Sequence, residues 1–199
     1  MFASSHPFQR SRVLITTSPN TSIAMKLLTA ILLTLGVTLS SCSSTSVNDY
    51  SKNTPKFIPQ EFFSGNLNAQ GVVKNRSGKV TRYFNATIKA YWENGVGTLE
   101  EKFIFDDGEI QYRTWKLSPT AQNTFNATAG DVIGIGEGEF AGNAINLNYV
   151  LVVKYKSSTI NLSVDDWMWL VDSNTVLNES ILTKFGFKVG SIQLVIKKD

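Results

Sequence analysis

Two adjacent carboxylates, Asp165 and Asp166, run directly into Trp167-Met168-Trp169 in the stretch SVDDWMWLVD, residues 163–172. An acid pair beside aromatic rings is what a carboxylate-dependent lipid- or glycan-modifying enzyme would use. Extended chain works against that reading, because neighbouring side chains on a strand point to opposite faces. The stretch separates into one strip of Val164, Asp166, Met168 and Leu170 and another of Asp165, Trp167, Trp169 and Val171. Asp165 and Asp166 therefore cannot act side by side, and the sequence leaves open which strip is interior.

Other charges stand on otherwise apolar faces. Glu101 alternates with Leu99, Phe103 and Phe105, and Arg113 with Trp115 and Leu117. Buried charge is costly unless it is paired. The pattern predicts that some of Glu101, Arg113 and Asp166 converge in an interior, with Tyr149 in hydrogen-bond reach. Three uses are open: an ion-pair cluster that pins the fold, a polar floor for the head of an apolar ligand, or a hydrolytic carboxylate pair. Among the tryptophans, Trp92, Trp115, Trp167 and Trp169 default to core. If Asp166 points inward, Trp167 and Trp169 point outward, under a loop or onto a partner or membrane.

Several chemistries fall away on inventory. Gly134-Ile-Gly136-Glu-Gly138 runs from strand to strand, whereas a phosphate loop needs a following helix N-terminus. Its glycines instead let a strand coil, or let an aromatic lie flat on the backbone. Asp106-Asp107-Gly108-Glu109 is too short for a calcium loop and reads as a hairpin turn. The only histidine is His6 and the only cysteine Cys42. A chain processed before Cys42 retains no histidine and no spare thiol, which excludes a Ser-His-Asp triad, a Cys-His nucleophile and a His-ligated metal. No metal, no cofactor and no enzymatic activity are expected.

The elements that must position these residues begin with an export signal. Met25-Lys26 precedes the apolar run Leu27–Leu39, which is shorter than the about 20 residues a membrane-spanning helix needs and reads as a secretory signal peptide ending at residue 41. Leu39-Ser40-Ser41-Cys42 resembles a lipobox, so Cys42 is the expected site of diacylglycerol attachment and the new N-terminus. A signal starting at Met25 is complete by itself, so Met25 reads as the true start; a longer n-region carrying Arg10 and Arg12 is the alternative. Ser43 after the cysteine points to the periplasmic face of the outer membrane. Arg10, Arg12 and Lys26 precede Cys42 and every acid follows it, so the 19 basic residues fall to 16 against 16 acidic. That balance leaves no basic block for nucleic acid. Membrane attachment would come from the acyl chains, palmitate and diacylglycerol, because paired chains anchor stably.

Residues 42–60 are polar with two prolines and read as a lipidated flexible tether. Residues 61–199 suit one all-β domain. Alternating segments such as Phe84–Trp92, Leu99–Phe105 and Ile145–Tyr155 are separated by short turns (Asn94-Gly95, Asp107-Gly108, Gly142-Asn143) with no crossover helix. This pattern predicts an antiparallel up-and-down barrel of about 8–10 strands. A two-sheet sandwich is the alternative.

The blocks FFSGNLNAQGVVKNRSGKVTRYF, GTLEEKFIFDDGE, RTWKL, GDVIGIGEGEFAGNA, DDWMWLVD and KFGFKVG resemble, in order, domain-of-unknown-function family 3833, and cover nearly everything from Tyr50 onward. The resemblance implies exported lipoproteins of Gram-negative bacteria with a lipocalin-like fold, encoded near fatty-acid-modifying enzymes of the cyclopropane-synthase type. It supplies no catalytic residues. Trp169 stands where the family pattern has tyrosine. The combined expectation is a membrane-anchored barrel that binds or carries a fatty acid or phospholipid. The alternatives are an envelope scaffold with a filled barrel and a carboxylate-dependent enzyme.

Overall fold

The computed structural model describes residues 44–155 and 157–199. Cys42 and the signal segment lie outside them. Ten antiparallel strands follow one another: β1 (Gly65–Asn75), β2 (Val80–Glu93), β3 (Val96–Phe105), β4 (Ile110–Ala121), β5 (Thr124–Thr128), β6 (Val132–Ala141), β7 (Ala144–Tyr155), β8 (Ser158–Leu170), β9 (Thr175–Lys184) and β10 (Phe187–Lys198). Each pairs with its sequence neighbour, and β1 pairs with β10 from Leu67↔Lys198 to Asn75↔Gly190, closing the barrel. Closure pairs both would-be edge strands. Ala129-Gly130-Asp131 form the turn between β5 and β6.

Closure gives every strand an inner and an outer face. The inner face of β2 carries buried Phe84, Ala86, Ile88 and Ala90, and its outer face carries the exposed residues between them. Small inner residues make room for rings. Phe125 faces Gly138 across β5 and β6 and lies flat against it, so that a methyl group there would overlap the ring. Trp92 covers Gly97 and Phe84 covers Gly71 in the same way. Gly138 of β6 therefore does structural work, as its context implied.

The two ends of the barrel differ. One is closed by the chain that precedes β1. Residues 45–199 form one compact unit, so the expected tether is in large part an ordered strap and not a flexible linker. Ser46 caps a 3₁₀ turn, Val47–Tyr50, with Val47 buried. Phe57 is 1% exposed and packs edge-on to Phe62 of the short helix α1 (Pro59–Phe62). Its N–H donates to the Gly142 carbonyl at 2.7 Å, and the Trp92 indole donates to the Phe63 carbonyl at 2.8 Å. Of the three aromatic plugs, Phe57 lies within the expected tether, and Phe62 and Phe63 stand at the start of the expected domain. At the other end, five hairpin turns surround the opening.

Gly138→Ala is expected to cost about 1–3 kcal/mol by overpacking against Phe125. Urea unfolding would show a lower midpoint at unchanged slope. A variant with wild-type stability would mean that the ring does not rest on the glycine backbone.

Candidate functional site

The inner wall is hydrophobic at the closed end, polar at its middle and mixed near the open end. Leu67, Ala90, Leu99, Trp115, Leu117, Ile145 and Val176 belong to one buried cluster with Phe57 and Phe62. Leu151, Leu162, Val164 and Leu182 form a second cluster toward the open end of β7–β9. Between them face Glu101, Arg113, Tyr149 and Asp166, from β3, β4, β7 and β8. Charge on apolar strips singled out Glu101, Arg113 and Asp166, which are close enough to feel one another's charge, and the expected Tyr149 shares their electrostatic environment without a hydrogen bond to any of them among the contacts of the described residues. Glu101 and Arg113 are direct cross-strand partners.

Their partners set the electrostatics. The Arg113 guanidinium donates through Nε and Nη2 to both oxygens of Asp131, at 2.7–3.1 Å. Burial pulls its pKa down, but the Asp131 hydrogen bonds and the charge of Glu101 outweigh that and raise it. Asp166 accepts from Asn178 Nδ2 at 2.5 Å and from Ser180 Oγ at 2.7 Å, both on β9. Burial still pushes its carboxyl up to about 6 against those hydrogen bonds. Glu101 has no such help. Its Oε2 is buried without a hydrogen-bond partner, and burial, opposed by Arg113 and reinforced by Asp131 and Asp166, raises it to about 7. Desolvation likewise holds the Tyr149 phenol well above its ordinary value, and its ring meets Trp115 edge-on at 5.2 Å. One arginine thus faces three carboxyl groups.

This middle layer is not sealed. Inward-facing Glu101, Phe103, Arg113, Tyr149, Asp166, Ile192 and Leu194 all keep accessible surface, whereas inward residues nearer the strap are buried. The Arg113 side chain is 20% exposed and that of Asp131 is 38%. The barrel is therefore a cup with a filled base, a polar layer and aromatic walls made by Phe84, Phe103 and Phe105. At the mouth, Arg82 lies 3.7 Å from the centre of the Phe105 ring and pairs with Asp107 and Glu109 at 2.7 and 2.8 Å. Asp106-Asp107-Gly108-Glu109 is the turn of that hairpin.

The four tryptophans do not converge. Trp92 and Trp115 face the closed-end core. Asp166 points inward, so Trp167 and Trp169 stand on the outer wall. They stack at 5.8 Å and 11°, and Tyr50 of the strap covers both at 5.9 and 6.3 Å. They fix the strap in place. On that outer face Asp165 accepts from Asn146 Nδ2 at 2.7 Å. A hollow of about 680 Å³ also opens on the outer wall, between Tyr83, Leu177 and Val195. Its lining reaches Asn178, which donates to Asp166.

Sequence reasoning missed Asp131, Asn178 and Ser180. Asn178 and Ser180 alternate with Val176 and Leu182, so the signal that revealed Glu101 was present in weaker, uncharged form. Asp131 lies in a turn, where strand parity assigns no face. Among the described residues no three side chains are grouped to hold a metal ion.

A family model described as "Protein of unknown function (DUF3833)" matches residues 36–198. No functionally curated protein matches the chain. Among solved structures, the S-type phycobiliprotein lyase CPES from Guillardia theta superposes with a TM-score of 0.51 at 12% identity, covering 78% of this chain and 98% of that one. At that identity the likeness is one of fold, a lipocalin-like barrel.

Raising the pKa of Glu101 above its unfolded value makes its contribution to stability largest in acid. That contribution is fully present below about 4.5 and is lost as pH rises through about 7. Glu101→Gln should match wild type near pH 4 and exceed it by on the order of 2 kcal/mol at pH 8. Thermal melts across this range check it, and a difference independent of pH would show that the carboxyl is not desolvated.

Proposed function

We propose that this chain, which belongs to the DUF3833 family, is a binding protein that holds an amphipathic ligand in the cup, with the ligand's apolar body along the aromatic walls and its polar end against the middle layer. The observation that carries this reading is the half-open layer of Glu101, Arg113, Tyr149 and Asp166 inside a closed barrel whose base is filled. Small-molecule sites combine apolar walls with a few convergent polar groups.

The charge balance favours one kind of head. Arg113 is already held by both oxygens of Asp131, and Arg82 by Asp107 and Glu109. A free fatty-acid carboxylate would meet three carboxyl groups and no uncommitted cation. A neutral, hydrogen-bond-donating or cationic head is complementary, which favours the amine-bearing phospholipid class over free fatty acids. Export, acylation at Cys42 and residence on the periplasmic face of the outer membrane belong to the same proposal and rest on the lipobox-like sequence. They would place the cup beside a supply of phospholipid.

A second reading keeps a carboxylate-dependent enzyme. The observation favouring it is that Glu101 and Asp166, in one chamber, are pushed to about 7 and about 6, values suited to general acid–base work. Burial accounts for both shifts without catalysis, so binding is the reading preferred.

The test is native mass spectrometry of the chain, paired with titration by two fluorescent amphiphiles of equal chain length, one amine-headed and one carboxylate-headed. The amine-headed probe should bind at least about tenfold more tightly at pH 8. Asp166→Asn should reduce that preference. Equal or tighter binding of the carboxylate probe would overturn the assignment, and turnover lost in Glu101→Gln would favour the enzymatic reading. Cys42→Ser should abolish palmitate incorporation. Continued labelling would refute acylation at that residue.

A further inference from the structure

The exposed apolar side chains are not scattered over the barrel. Of twelve large hydrophobic residues exposed among the described residues, ten lie on the open-end turns or within four strand residues of them; Val171 and Leu177 are the exceptions. Each hairpin around the opening contributes, through Tyr83, Tyr112, Ile135, Tyr155, Phe185 and Phe187. A patch on one side of a protein fits one partner. A belt around one end of a barrel matches a plane.

The tip of β9–β10 is the furthest departure from local preference. Phe185 and Gly186 both have positive φ, 50° and 78°, in a two-residue turn. Such turns favour Asn-Gly, and the β2–β3 hairpin at the closed end uses Asn94-Gly95 with nearly the same angles, 51° and 79°. At the open end a phenylalanine takes the strained position and is 88% exposed, with Phe187 at 65%. Within the fold that ring meets only the neighbouring Lys184 ammonium, 4.9 Å from its centre, among the contacts of the described residues. Backbone strain kept at an exposed aromatic is a mark of function outside the fold.

Charge selects the surface. Arg76, Lys79, Lys154, Lys184 and Lys188 lie in or beside three turns that are consecutive around the rim, β1–β2, β9–β10 and β7–β8. The ion pairs found among the described residues involve only Arg82 and Arg113, so these five cations are not neutralised by carboxylates. Of the acids of the neighbouring turn, Asp107 and Glu109 are committed to Arg82, and Asp106 accepts from the Tyr83 N–H.

We propose that the open rim is a membrane-docking surface: the Phe185-Gly186-Phe187 tip inserts into the interface of an anionic bilayer while the flanking lysines and arginine engage its headgroups. This turns the mouth of the cup toward the lipid. It is independent of the ligand assigned to the interior, since it rests on exposed residues at the rim and on none of the middle layer.

The experiment uses the full chain with Phe185→Trp, and in parallel Phe187→Trp, so that the readout is local to the tip whatever holds the N-terminus. Vesicles of phosphatidylcholine with and without 30% phosphatidylglycerol are added. The introduced tryptophan should shift to the blue on the anionic vesicles and be quenched by brominated acyl chains. Lys184→Glu with Lys188→Glu should weaken the response by about tenfold or more, at about fivefold per lysine. Phe185→Asn should weaken vesicle binding of the otherwise native chain by about tenfold or more while raising its melting temperature, which separates docking from folding. Three results would overturn the proposal: unchanged emission on vesicles that do bind the chain, an equal response to both compositions, or a blue shift without vesicles that grows with protein concentration, which would make a second copy the occupant.

Discussion

The pairing of β1 with β10 is the constraint on which everything else depends. Ten strands in an open meander would leave two unpaired edges and no protected interior. Once Leu67 faces Lys198 and Asn75 faces Gly190, strand parity becomes global. Every second residue is then committed to the enclosed side of the sheet. The same alternation that buries Ile88 must then carry Glu101 and Asp166 inward, at an electrostatic cost that hydrophobic neighbours cannot relieve.

The fold handles that cost by layers. Rings and small residues fill the base, where Phe57 and Phe62 of the strap complete the core. The charges are gathered at one height, where Asp131 answers Arg113 and the hydrogen bonds of Asn178 and Ser180 answer Asp166. Glu101 alone is left with a buried oxygen unanswered. A barrel selected for stability alone would replace it with an apolar residue, and a site that awaits a polar group would keep it.

The two proposals use different faces of one wall. The cup depends on inward residues and the docking rim on outward residues and turns, so a single strand can serve both. β9 does so most plainly, with Ser180 turned to the chamber and Phe185 just beyond its end turned to solvent.

What the sequence determined by itself was periodic. Alternation and short turns were enough for an antiparallel barrel, and a charge on an apolar strip was enough to mark Glu101, Arg113 and Asp166 as inward residues. The same logic separated Asp165 from Asp166 before any coordinates. The tertiary structure decided what periodicity does not encode. Closure chose the Asp166 strip as interior and sent Trp167 and Trp169 outward to Tyr50. Packing made a strap of residues whose polar composition reads as a tether, because three aromatics suffice to plug a barrel end. Turn geometry brought Asp131 to Arg113, since a turn has no face until the strands on either side of it are fixed. The rim belt emerged last, because ten residues spread from Tyr83 to Val189 become neighbours only when the sheet closes on itself.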